Sequence, residues 1–306
     1  MIRSLQHIGI AVPDLETGRA FYEAFGMETV PALDRVAMRC VGRAQDQIVL
    51  LEAPKKSLHH IAFGTNAREL QVLGARLKQA GANVVKAPFD DGAEGIWFHD
   101  PDGTLINLKV SESAPTQPAS PPLFNSPGAY TRYGKVGCPP KSLRATPRRL
   151  GHLIKFTPDV NRALEFYITL LGMKLTDRSG NFVAFLRCGN GGDHHVLGLL
   201  QSEKPGLHHV SFEVNSLDEL GIGANQMIEA GYRHVWGLGR HIGGSNFFQY
   251  FRDPWNSMAE YFWDIDVIPE GAQWEPKDVA PKDIMYLWAP SPPPEDFGRN
   301  YEISND

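Results

Sequence analysis

The residues of this chain best suited to chemistry are histidines at the head of apolar runs. Four segments open this way: His7-Ile-Gly-Ile-Ala-Val, His60-Ile-Ala-Phe, His152-Leu-Ile-Lys-Phe and His209-Val-Ser-Phe-Glu-Val. Downstream of the last lies a carboxylate in an apolar run, Glu260 within Met258-Ala-Glu-Tyr-Phe-Trp263. Strand alternation puts Met258, Glu260 and Phe262 on one face and Ala259, Tyr261 and Trp263 on the other. A carboxylate among such neighbours is costly to bury unless it is paired or bound to metal. With His152 and His209 turned into one cavity, two imidazoles and Glu260 would leave further coordination positions open, as the facial triads of non-haem Fe(II) do. A lone histidine leading a strand is more often a hydrogen-bonded structural residue than a ligand. The weight therefore falls on how the four segments are arranged.

They are arranged as repeats. Asp14-Leu-Glu-Thr-Gly-Arg-Ala-Phe21-Tyr22 follows His7 as Asp159-Val-Asn-Arg-Ala-Leu-Glu-Phe166-Tyr167 follows His152, with the same interval from histidine to phenylalanine. Asp14 and Asp159 are placed to cap helices, and Gly26 and Gly172 stand where those helices would stop. Residues 67–81 and 217–231 carry the helical pattern of the other two repeats, and each ends in Ala-Gly. Strand-like runs such as Gln47-Ile-Val-Leu-Leu and Phe182-Val-Ala-Phe-Leu come next. Phe98-His-Asp-Pro-Asp-Gly leads to Asn107 as Phe251-Arg-Asp-Pro-Trp-Asn leads to Glu260, an Asp-Pro turn before an alternating strand in both. The expected fold is α+β, with four βαβββ modules paired into two domains. Residues 1–110 form the first domain, 111–148 a Pro/Ser-rich linker, 149–268 the second domain and 269–306 an irregular tail, on the surface or against a neighbouring subunit. The first domain keeps His7 and His60 but has Asn107 where the second has Glu260, so it is expected to be a metal-free duplicate with structural histidines.

Composition narrows the partners. The 306 residues suffice for about two domains, and 42% hydrophobic with 21% charged residues is ordinary for a packed core. A net charge of −5 without a long basic run argues against nucleic acid. No run approaches the roughly 20 apolar residues of a membrane helix. Three widely spaced cysteines, Cys40, Cys138 and Cys188, give neither a disulfide framework nor a metal knuckle and suit a reducing cytoplasm.

Further residues carry a family likeness. Gly151-His152, Asp193-His194-His195-Val196, Leu207-His208-His209-Val-Ser-Phe, Gly239-Arg240-His241 and Tyr250-Phe-Arg-Asp-Pro leading to Glu260 resemble the type I extradiol ring-cleavage dioxygenases of the vicinal-oxygen-chelate superfamily. The resemblance spans both domains and is most specific between Gly151 and Phe262. It implies metal ligands at His152, His209 and Glu260, holding Fe(II), although Mn(II) fits the same ligand types. It also implies catalytic roles for His195, His241 and Tyr250. Tyr250 would hydrogen-bond the deprotonated catechol oxygen and His241 would position a hydroxyl or the oxygen species. His195 would manage charge and a proton on oxygen, work suited to a near-neutral pKa. His195 matches the family pattern better than His194, whose substitution is expected to matter little. Ile154, Phe185, Phe247 and Phe248 are candidates to hold a flat ring. The implied substrates are a catechol and O₂, the product a ring-opened semialdehyde, and the assembly a homo-oligomer.

Two other functions use related sequences. A metal isomerase of the glyoxalase I kind would need a base for a carbon acid and would normally draw ligands from both module pairs. A ligand-sequestering protein like the bleomycin-resistance proteins would be a short single-domain dimer without the triad.

Overall fold

A computed structural model describes residues 1–32, 34–89, 92–111 and 123–303. Residues 112–122, the Pro/Ser-rich core of the expected linker, lie outside the described residues. The first module comprises β1 (Ser4–Val12), α1 (Leu15–Ala24), β2 (Glu28–Pro31), β3 (Val36–Arg39) and β4 (Ile48–Glu52). The second comprises β5 (Ser57–Thr65), α2 (Ala67–Gln79), β6 (Val84–Val85), β7 (Gly95–His99) and β8 (Leu105–Val110). The third runs through β9 (Arg149–Thr157), α3 (Val160–Thr169), β10 (Lys174–Ser179), β11 (Val183–Arg187), the short β12 (Gly192–Asp193) and β13 (Leu197–Gln201). The fourth holds β14 (Gly206–Glu213), α4 (Leu217–Glu229), β15 (His234–Arg240), β16 (Phe247–Arg252) and β17 (Met258–Trp263). At the end of the second domain β18 (Val267–Ile268) pairs with β12, and in the tail β19 (Lys277–Asp278) pairs with β10. These are the four βαβββ modules of an α+β fold.

Local chemistry accounts for the helix ends. Asp14 accepts hydrogen bonds from the N–H groups of Glu16 and Thr17, and Asp159 from that of Arg162, satisfying donors that a first turn leaves open. Just past the helices, Gly26 and Gly172 take φ values of 92° and 72°, open to residues without a Cβ.

Modules pair through their first strands. In the eight-stranded sheet β1 lies antiparallel to β5, and in the nine-stranded sheet β9 lies antiparallel to β14. One hydrophobic core runs between the two halves: Phe25 after α1 stacks on Tyr261 of β17 at 3.8 Å, and the Tyr261 hydroxyl donates to the Phe25 carbonyl at 2.9 Å. The Asp-Pro turns also join the halves. Lys155 of β9, fully buried, places its ammonium against Asp100, Asp102 and Thr104 of the turn before β8. No described helix is long and apolar enough to cross a membrane.

Candidate active site

Sheet register builds the site. His152 of β9 pairs with Ser211 of β14, Ser211 with Glu260 of β17, and Glu260 with Tyr250 of β16. Paired residues share a face, so one row across four strands aims His152, Glu260 and Tyr250 the same way. One step along, His209 pairs with Ile154 and Met258. His152, His209 and Glu260 are all buried, and their ligand atoms lie within 4.8 Å of one another. Nε2 of His152 is 3.2 Å, and Nε2 of His209 3.4 Å, from Oε2 of Glu260.

Hydrogen bonds behind the triad decide where the protons sit. Nε2 of His208 donates to the Phe297 carbonyl at 2.8 Å, and its Nδ1 lies 2.7 Å from Nδ1 of His209. A carbonyl only accepts, so a neutral His208 has its lone pair on Nδ1 and His209 donates to it. Burial keeps His208 neutral, pushing its pKa down to about 4, and holds His209 well below the usual histidine range. The lone pair of His209 Nε2 is thus left without a hydrogen-bond partner and faces a carboxylate oxygen. Among the described residues no Lys or Arg pairs with Glu260; its further polar neighbours include Asn246 Nδ2, which donates to Oε1 at 3.3 Å, His241 and the Tyr250 hydroxyl. Two acceptors turned on each other in a buried site repel unless a cation lies between them. The donor set of two imidazoles and a carboxylate fits a divalent metal on that ground.

His195, His241 and Tyr250 converge on the same cavity, of about 220 Å³. His195 sits between β12 and β13, its ring 4.3 Å from that of His152. The sequence reading asks of it a near-neutral pKa. The structure instead holds it well below, first through burial and then through the nearby His152, His194, His241 and His209, so it rests as a neutral acceptor. His241 follows β15. Its Nδ1 donates to the Met285 carbonyl, so Nε2 accepts from the Tyr250 hydroxyl at 3.0 Å. Burial, with Glu260 adding to it, raises Tyr250 well above its ordinary pKa and keeps it a donor.

The walls are apolar. Ile154 and Phe185 line the cavity, as do Phe182, Val183 and Leu200. A Cβ at Gly198, opposite Ile154, would lie 2.0 Å from Ile154 Cδ1, so the Ile154 side chain would have to shift to admit it. Phe247 is a correction. Alternation along β16 turns it away from Tyr250, onto Trp263 and Trp288, while Phe248 faces inward and stacks on His241 at 4.1 Å. His194 is another. It is fully buried, with Nε2 2.9 Å from Asp177 and Nδ1 3.0 Å from His195, surroundings at odds with a dispensable residue. The tail differs too: Ile284, Met285, Pro293, Pro294 and Phe297 roof the cavity. Asn246, His208 and these tail residues escaped the sequence reading; the His-His doublets were the one available signal, for His208.

The family model described as "Glyoxalase/Bleomycin resistance protein/Dioxygenase superfamily" matches residues 4–108 and 149–261. The chain belongs to this superfamily. Its members include Metapyrocatechase 2 of Cupriavidus necator, 38% identical over 98% of this chain and 93% of that protein. Biphenyl-2,3-diol 1,2-dioxygenase of Paraburkholderia xenovorans (strain LB400) is 27% identical over 87% and 89%. The superfamily fold recurs in homoprotocatechuate 2,3-dioxygenase of Brevibacterium fuscum, solved as an anaerobic substrate complex, with TM-score 0.76 and 20% identity over 97% of this chain and 91% of that one. It recurs as well in a Mn(II)-bound glyoxalase of Novosphingobium aromaticivorans, with TM-score 0.75 and 24% identity over 94% and 90%. Within the superfamily, the chain groups with the extradiol ring-cleavage dioxygenases.

Proposed function

We propose that this protein is an extradiol dioxygenase that opens a catecholic ring with O₂ and Fe(II), the metal held by His152, His209 and Glu260. The observation that carries the reading is the convergence of two imidazoles and a carboxylate with His195, His241 and Tyr250 in one apolar cavity. The 38% identity to a metapyrocatechase supports it.

Bound there, the metal supplies Lewis acidity toward a catechol hydroxyl and a one-electron route to O₂. The chain does the rest. Tyr250, kept protonated, donates a hydrogen bond to the deprotonated catechol oxygen. His241, its Nδ1 proton tied to Met285, presents a lone pair at Nε2 to hold a remaining hydroxyl. Neutral His195 takes a proton at Nε2 and returns it as oxygen charge develops. Ile154 and Phe185 flank the ring, and the tail roof excludes water. Among the described residues no Lys or Arg lines the cavity, and its volume is small for a ligand pocket. Neutral single-ring catechols with small apolar substituents are the substrate class in this reading, and carboxylate-bearing catechols are poor ones.

Three unpaired cysteines suit a cytoplasmic enzyme. Leu123, Phe124, Tyr130, Tyr133 and Val136 form an exposed apolar stretch that a second copy of the chain would cover in a homo-oligomer. The test is purification under anaerobic conditions with Fe(II), then mixing with O₂ and a catechol panel. A yellow ring-opened product carrying two labelled atoms from ¹⁸O₂ is expected. Colourless turnover of a hemithioacetal with no O₂ uptake would instead favour a glyoxalase-type isomerase. Parallel loading with Mn(II) decides between the metals, Fe(II) being expected to give the higher turnover.

A further inference from the structure

His194 has no part in the chemistry above, yet it is fully buried and hydrogen-bonded at both ring nitrogens. Nε2 lies 2.9 Å from Oδ2 of Asp177 on β10. The other oxygen of that carboxylate accepts from the Lys277 N–H at 2.8 Å, where β19 of the tail pairs with β10. Trp274 donates its indole N–H to the Thr176 carbonyl at 2.9 Å and sets its ring edge-on against His194. Nδ1 of His194 lies 3.0 Å from Nδ1 of His195. Among the described residues, Nδ1 makes the only hydrogen bond of the His195 ring, and the residue lines the cavity.

We propose that Asp177 and His194 are positioning residues that fix both the ring orientation and the tautomer of His195. An ionised carboxylate only accepts, so His194 carries its proton on Nε2 and its lone pair on Nδ1. His195 must then donate from Nδ1, which leaves the lone pair of its Nε2 open to the cavity. The arrangement parallels the one behind His209, where the Phe297 carbonyl takes the place of Asp177. The His208-His209 pair thus presents a lone pair to a metal, and the His194-His195 pair presents one to a substrate proton. Because Asp177 is anchored by Lys277, the tail helps set the tautomer.

This inference rests on the proposed proton-handling role of His195, and the experiment separates the two. In the metal-free full chain labelled with ¹⁵N-histidine, the His195 ring, assigned by difference from His195→Gln, is expected to show a protonated Nδ1 and an unprotonated Nε2. In Asp177→Asn the Lys277 N–H keeps the amide oxygen, so the amide N–H faces His194 Nε2 and the tautomer of His195 is expected to invert. In the loaded enzyme, His194→Leu is expected to lower kcat about 10-fold or more with the KM for catechol unchanged. His194→Asn, whose Oδ1 stands where Nδ1 stood, is expected to recover much of that loss. A proton found on Nε2 of His195 in the parent, or equal rates for the Leu and Asn variants, would overturn the proposal. Should His194→Leu not fold, the Asp177→Asn spectrum decides alone, an unchanged His195 tautomer there overturning the proposal. If the tautomer is as stated but His195→Gln turns over normally, the role of His195 fails while the relay stands.

Discussion

The two halves of the molecule run the same topology and end in opposite states. In the second half, His152 and His209 stand with ring centroids 5.7 Å apart and a carboxylate facing both. In the first half, the equivalent His7 and His60 meet directly, Nε2 to Nε2 at 2.9 Å, so one donates and the other accepts. Register makes the equivalence explicit, because Trp97 pairs with Asn107 as Tyr250 pairs with Glu260. A single position explains much of the divergence. Gly9 pairs with His60 as Ile154 pairs with His209. With no side chain at Gly9, the His60 ring folds over it; a Cβ there would lie 1.9 Å from His60 Nδ1. Ile154 stands at the equivalent position in the second half, where His209 does not meet His152 ring to ring as His60 meets His7. Trp97 then fills what would be cavity, 5.1 Å from His60. In our proposal, a duplicated scaffold keeps or loses a metal centre through one anionic ligand, Glu260 against Asn107, and one side chain, Ile154 against Gly9.

The largest effect should come from removing that ligand. Glu260→Ala is expected to abolish ring cleavage to background, checked by product absorbance under excess Fe(II), while the circular dichroism spectrum stays parental. His195→Gln should keep metal and catechol affinity but slow the oxygen-dependent steps on the order of 10²-fold. Stopped-flow mixing of the anaerobic catechol complex with O₂ would show this, and a parental trace would count against the assignment. Ile154→Gly should let His209 collapse toward His152 and weaken Fe(II) binding about 10-fold in anaerobic titration. The smallest functional effect is expected from making the first half resemble the second. Asn107→Glu should bind no additional metal and leave turnover intact. Its uncompensated buried charge should nevertheless cost roughly 3–5 kcal/mol, read as a lower midpoint in urea.

Much of this was legible before any coordinates, for identifiable reasons. The repeats could be read because helix caps, Asp-Pro turns and histidine-led strands are local features written in residue type. Glu260 stood out because a carboxylate in an apolar strand conflicts with its neighbours. Phe247 misled although the alternation that settles it was available: counting back from Tyr250 reaches Phe248. The doublets were harder. Alternation allows only one of two adjacent residues to face inward, but a register shift between Leu207 and His209 brings both His208 and His209 to the site. His194 and His195 lie between strands, where alternation does not hold. The tail's part in orienting the histidines could not be read because it is played by backbone carbonyls, those of Met285 and Phe297. Every residue carries one, so no sequence pattern marks it.

We propose that the chain holds a single metal centre, in its second half only. Counting Fe(II) after anaerobic reconstitution and gel filtration tests it directly, in the parent, Glu260→Ala and Asn107→Ala. One iron per chain is expected in the parent and in Asn107→Ala, and none in Glu260→Ala. Two irons in the parent, iron retained by Glu260→Ala, or iron lost from Asn107→Ala would contradict it.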